Sequence, residues 1–190
     1  MFAMKGNVYL FSLRELLFVL ATALITSGAM YLSYHLFPLQ SHFLVSLSLL
    51  VFGVWFILSF FHDYGRALTF FTAVGFFTLP LNDFGAAGFG KIVMFALAGV
   101  VFECVLFFFA ERCHMPVFAR ASASVISSAL LPLLSALVLS PASILTSFQE
   151  ILNLVALASV TALVVSFISS LVVPYIKRHA LMLKLEAYVA

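Results

Sequence analysis

Glu103 is the residue whose type and position most invite a chemical role. It lies in the run GKIVMFALAGVVFECVLFFFAER, where some twenty apolar residues follow Lys91. A carboxylate there costs free energy unless it is protonated, paired or hydrogen-bonded, and such a residue is a functional hypothesis by default. Gly99 and Ala96 precede it on the same helix face, which favours the interior of a helix bundle. We expect Glu103 to tie its helix to a neighbour, with ligand contact as the second role open to it. The candidate partners are Thr69, Thr72, Trp55 and Ser127.

Arrangements typical of enzymes are missing from the sequence. It has no H-E-x-x-H, no G-x-S-x-G, no phosphate loop and no paired aspartates in its apolar runs. Its five histidines fall at the ends of apolar runs, where headgroup-level positions are common, and its two cysteines are too far apart for a short metal-ligand pair. We predict no catalytic residue, metal site or cofactor. An intramembrane enzyme is the least favoured alternative.

The elements that must position Glu103 are apolar helices. The 190 residues are 65% hydrophobic and 8% charged, against about 25% charged in soluble domains. This composition predicts an all-α membrane protein with one integral membrane domain over residues 1–190. The third span is shorter than the ~20 residues needed to cross a bilayer, so the loop LPLNDFGAAGFG should complete that layer inside the protein. The six predicted spans are 13–36, 43–61, 66–80, 88–110, 117–140 and 149–175.

Lysine and arginine predict the orientation. With the N-terminus inside, the outer loops contain only Lys91, which satisfies the positive-inside rule. The sequence therefore predicts a multi-pass protein of the cell membrane with both termini in the cytoplasm. Nothing in it supports nucleic acid binding. The inner segments contain Lys5, Arg14, Arg66, Arg112, Arg120, Lys177, Arg178 and Lys184.

Polar residues gather in three predicted outer loops, which indicates a small-molecule pocket that opens outward. The glycines of the third loop allow close approach of a ligand to the backbone. A structural interpretation stays open: Asn82 or Asp83 could close a turn, Lys91 could lie at the headgroups, and Glu150 could compensate a helix N-terminus. The predicted substrate-binding residues are Tyr34, Asn82, Asp83, Lys91, Glu103, Glu150 and Asn153.

The first span contains a small-residue surface. Ala23 and Ser27 form a small-xxx-small pair, with Ala21 and Gly28 near the same stripe. Such surfaces indicate close helix packing. The spacing leaves open whether the partner is internal or another protein.

Four segments over residues 10–112 resemble the S components of energy-coupling factor (ECF) vitamin transporters, especially the thiamine-precursor subgroup. They are SLRELLFVLATALITSGAMYL, FGVWFILSFF, GRALTFFTAVGFF and GKIVMFALAGVVFECVLF. The resemblance implies a six-helix fold and an outward site for a vitamin or precursor of the thiamine or hydroxymethylpyrimidine kind. It also implies docking through Ala21, Ala23, Ser27 and Gly28 on a transmembrane coupling protein driven by two cytoplasmic ATPases. The family's usual Ala-x-x-x-Ala appears here as Ala23-x-x-x-Ser27.

We therefore expect the substrate-binding subunit of an ABC-type importer, with no ATPase of its own. The alternative is a membrane scaffold, such as a cell-shape complex subunit that resembles the rod-shape protein family. In that case the polar residues would serve helix packing and partner contacts.

Overall fold

A computed structural model describes residues 12–61, 64–81, 88–113, 116–139 and 148–179, without the side chains of 39–40, 110–113 and 138–139. Within these ranges the chain forms six helices, as predicted. Five of them have the length and apolar composition of membrane spans, and the third, with 12 residues, is too short. The helices are α1 (Leu13–Leu36), α2 (Leu39–Phe60), α3 (Arg66–Phe77), α4 (Phe89–Cys113), α5 (Pro116–Leu139) and α6 (Phe148–Lys177).

Local sequence fixes several helix ends. Ser12 and Glu15 form a capping box at the start of α1, with reciprocal side-chain to backbone bonds of 3.2 Å. Pro38, which follows the extended Phe37, separates α1 from α2. Gly65 precedes α3 with φ of 90°, a left-handed conformation that favours glycine. The third helix therefore starts where the sequence predicted.

The six helices form a closed ring in the order α1, α3, α4, α5, α6, α2, and α2 also contacts α3 and α5. The buried core includes Leu50, Val54 and Trp55 of α2, because α2 has the most neighbours. We call the end where α1, α3 and α5 begin the basic end. The lysines and arginines whose backbone is described, other than Lys91, lie there: Arg14, Arg66, Arg112, Arg120, Lys177 and Arg178.

Helices α3 and α4 pack at close range through two glycines. A Cβ atom on Gly75 would lie 2.9 Å from the Cβ of Phe95, and one on Gly99 would lie 3.0 Å from the Cα of Leu68. The distance at Gly75 is shorter than Cβ atoms tolerate, and at Gly99 the α3 backbone would have to move by a few tenths of an ångström, so glycine at both positions favours this close approach. The small face that precedes Glu103 thus serves helix packing, as the sequence predicted.

Candidate functional site

Glu103 caps the N-terminus of α3. Its Oε1 accepts hydrogen bonds from the backbone N–H groups of Ala67, at 2.9 Å, and Leu68, at 3.2 Å. The first N–H groups of a helix have no partner within the helix, and Gly65 has no side chain to supply one. A carboxylate also offsets the partial positive charge of a helix N-terminus. The glutamate of α4 therefore supplies the cap that α3 lacks.

Glu103 does tie α4 to a neighbouring helix, as expected, but its hydrogen-bond partners are not the side chains that the sequence suggested. The four side chains suggested as partners were Thr69, Thr72, Trp55 and Ser127. The two threonines and the serine donate instead to carbonyls of their own helices, and the indole Nε1 of Trp55 donates to Ser124 Oγ at 3.1 Å. Glu103 bonds to backbone groups, which residue types do not reveal.

Lys91 holds the other end of α3. Its side chain is completely buried, and Nζ donates to the backbone carbonyls of Thr78 and Leu81, both at 2.9 Å. Thr78 is the C-terminal cap residue of α3, and a cation there offsets the partial negative charge of the helix. The ammonium group of Lys91 therefore lies inside the protein, bonded to backbone, in the first turn of α4. Its predicted role in substrate binding stays a prediction.

The spacing of these two charges matches the length of α3. Glu103 lies 12 positions after Lys91, and α3 has 12 residues. At ~1.5 Å per residue both lengths are about 18 Å. Because α3 and α4 are antiparallel, the acid reaches one end of α3 and the lysine reaches the other. Equal spacing was visible in the sequence, but its meaning depends on which helices are neighbours.

An ion pair joins α3 to α1 at the basic end. Arg66 donates from Nη2 to Glu15 Oε2 at 2.7 Å, and it also donates from Nη1 to the carbonyl of Tyr64 at 3.2 Å. Arg66 is only 2% exposed, so solvent screens this pair weakly. Sequence reasoning used Arg66 for topology alone and missed the pair, because 51 positions separate the partners.

A second polar cluster lies at the end opposite the basic end, between α1 and α2. Ser33 Oγ lies 2.9 Å from Nδ1 of His42, and Ser46 Oγ lies 3.4 Å from both ring nitrogens. The ring of Tyr34 meets the His42 ring edge to face, with centroids 5.1 Å apart. His42 lies in the first turn of α2, at the end of a span as expected, and its side chain is completely buried inside the protein. Its spacing of four from Ser46 is the sequence signal that could have indicated a shared helix face.

The predicted substrate-binding residues that the structure describes lie at separate places in the bundle. Lys91 and Glu103 lie at opposite ends of α3. Tyr34 is partly exposed at the end of α1, and Glu150 and Asn153 are exposed in the first turns of α6. Asn82 and Asp83 lie outside the described residues.

The predicted docking residues divide into two pairs. Ala23 and Ser27 are buried, at 0% and 1% exposure, so they pack inside the bundle. Ala21 and Gly28 are exposed, and a Cβ on Gly28 would meet nothing within 4 Å. Of the four residues, only this second pair could meet another protein while the bundle keeps this arrangement.

An apolar groove of about 490 Å³ runs along α3 between α1 and α4. Six of its lining residues share one face of α3, and the hydroxyls of Thr69 and Thr72 among them already donate to their own helix. None of the predicted substrate-binding residues lines it. The lining residues are Leu20, Leu68, Thr69, Thr72, Ala73, Phe76, Phe77 and Ile92.

Fold and composition define the class of the chain as an all-α protein with several helices that have the properties of membrane spans. No protein-family model, no curated protein and no solved structure matches it.

Proposed function

We propose that the chain is the substrate-binding subunit of an importer of the S-component type. It binds a small vitamin-like molecule at the end opposite the basic end, which faces the outside under the positive-inside rule. A transmembrane coupling protein and two ATPases would supply the energy, and the chain itself would do no chemistry on the substrate.

The observation behind this proposal is the unequal distribution of polar groups between the two ends. Described cations other than Lys91 lie at the basic end, whereas His42, its serine partners and Tyr34 lie at the opposite end. Lys91 also fixes the carbonyl of Leu81, the residue directly before Asn82. Leu81, the last described residue before the third loop, is therefore held in place at the end where we propose the site.

Ligand identification is the first test. Native mass spectrometry of protein purified in mild detergent should detect a retained small molecule. Thermal shift with thiamine, pyrimidine, biotin, flavin and folate compounds should then give a stabilised protein for one class only. Asp83→Ala should weaken that binding while the unliganded protein keeps its melting temperature. Glu111→Ala, which removes an acid at the basic end, is the matched control and should leave binding unchanged. No retained molecule and no shift with any compound would refute the proposal.

The scaffold alternative has one observation in its favour. Lys91 and Glu103, two of the seven predicted substrate residues, are both engaged in holding α3. Under this alternative the purified chain would show no ligand-dependent shift, and it would copurify with a cell-shape or division complex.

A further inference from the structure

Arg120 lies near the start of α5 and on its interior face. Ser124 and Ser127 follow at four and seven positions, on the same side of the helix, and both are buried. Arg120 itself is half-buried. An arginine within an apolar helix is costly and usually faces a bundle interior or a polar cavity, where it has a partner.

The face of an indole holds the guanidinium group. The Cζ of Arg120 lies 5.9 Å from the centroid of the Trp55 ring, within the range of a cation–π interaction. The Trp55 ring is itself fixed, because Nε1 donates to Ser124 Oγ, and Ser124 donates to the backbone carbonyl of Arg120. Ser124 thus links the indole to the helix that contains the arginine.

No carboxylate among the described residues pairs with Arg120. Glu15 accepts from Arg66, and Glu103 accepts from the N-terminus of α3. Among the side chains that the structure describes, the five N–H donors of the guanidinium group meet no acceptor of opposite charge. The N-terminal end of α5 adds partial positive charge to the same place.

We propose that Arg120, Trp55 and the first turns of α5 form a binding site for a phosphate-type oxyanion at the basic end. Guanidinium and phosphate match in geometry and charge, and bidentate pairs of this kind are among the strongest hydrogen-bonded contacts. The oxyanion comes either from the headgroup of an anionic lipid or from a free phosphate compound. The site is independent of the proposed function, because it lies at the other end of the bundle.

Trp55 makes the site directly observable, because it is the only tryptophan in the chain. Its fluorescence would be measured in neutral detergent during titration with inorganic phosphate, against chloride at matched ionic strength. A parallel measurement would use nanodiscs of phosphatidylcholine and of an equal mixture of phosphatidylcholine and phosphatidylglycerol. We expect a saturable change in at least one series; a change only with phosphatidylglycerol assigns a lipid headgroup, and a change only with phosphate assigns a free oxyanion.

Substitutions distinguish oxyanion binding at Arg120 from a general effect of positive surface charge. Arg120→Gln should raise the half-saturating concentration at least about tenfold, as expected for loss of a charge-assisted contact. Arg178→Gln removes an exposed cation from the same end and should leave the titration unchanged. If Arg120→Gln does not fold, Arg120→Lys tests the same point, since it keeps the charge without the planar fork and should bind several-fold more weakly.

Three results would overturn the site. The first is no saturable change in either series with the unmodified chain. The second is the same half-saturation in the Arg120 variants as in the unmodified chain. The third is an equal loss in Arg178→Gln, which would assign the response to general surface charge.

Discussion

Glu103→Ala tests the main structural conclusion, that α4 caps α3. The substitution removes the acceptor of two backbone N–H groups in a partly buried place. Each hydrogen bond to a charged group contributes about 1.5–3 kcal/mol, and part of this is offset because the carboxylate no longer has to leave water. We expect the free energy of unfolding to fall by about 2–5 kcal/mol.

The conservative variant separates the hydrogen bonds from the charge. Glu103→Gln keeps an oxygen at the position of Oε1, places an NH2 group at the buried position of Oε2, and loses the attraction of the charge to the helix N-terminus, which contributes about 0.3–2 kcal/mol. We therefore expect the free energy of unfolding of Glu103→Gln to lie between that of the unmodified chain and that of Glu103→Ala. Glu150→Ala is the control: Glu150 is exposed, and its removal should change stability by less than about 0.5 kcal/mol.

Two measurements would give the result. Equilibrium unfolding in mixed detergent micelles, followed through Trp55 fluorescence, gives the free energy, and hydrogen exchange gives the protection of the Ala67 and Leu68 amides. Exchange at these two amides should be at least about tenfold faster in Glu103→Ala. If Glu103→Ala matches Glu150→Ala in stability, or if the Ala67 and Leu68 amides exchange no faster in Glu103→Ala than in the unmodified chain, the capping interpretation is wrong.

Three further predictions concern the contacts around α3. Gly99→Ala should destabilise the protein by about 1–3 kcal/mol in thermal unfolding, because a Cβ there meets the α3 backbone at 3.0 Å, whereas Gly28→Ala should not; equal effects of the two would contradict the close approach. Arg66→Leu should lower the free energy of unfolding by less than Glu15→Leu, since Glu15→Leu leaves a buried cation without its acid. A double-mutant cycle that shows no coupling between the two substitutions would exclude the ion pair. Lys91→Met should lower the free energy of unfolding by about 1–3 kcal/mol, because the buried Leu81 carbonyl loses its lysine donor while the Thr78 carbonyl keeps the backbone N–H of Leu81. Unchanged stability would rule out the lysine contact.

These contacts make α3 and α4 one unit. The helices share two glycine contacts, and the charges of α4 fix both ends of α3. If the chain reorients during transport, we expect α3 and α4 to move together. The exposed face of α1, with Ala21 and Gly28, is then the part of that helix open to a coupling protein.

Much of the fold could be predicted from composition and periodicity. Long apolar runs separated by polar or glycine-containing segments predict helices whatever their neighbours, because a backbone in an apolar medium must satisfy its hydrogen bonds internally. The shortness of α3 was visible in the same way, since Gly65 and Pro80 limit it. Gly99 and Ala96 also placed Glu103 on a packed face.

The tertiary structure alone decided what each polar side chain meets. Glu103 and Lys91 bond to backbone groups, which are the same for every residue and leave no trace in residue types. Ala23 and Ser27 form a small surface that suits an internal helix and a partner equally well, and only the ring order of the helices shows that it is internal. Sequence periodicity fixes the face on which a residue lies, whereas long-range packing fixes what lies opposite that face.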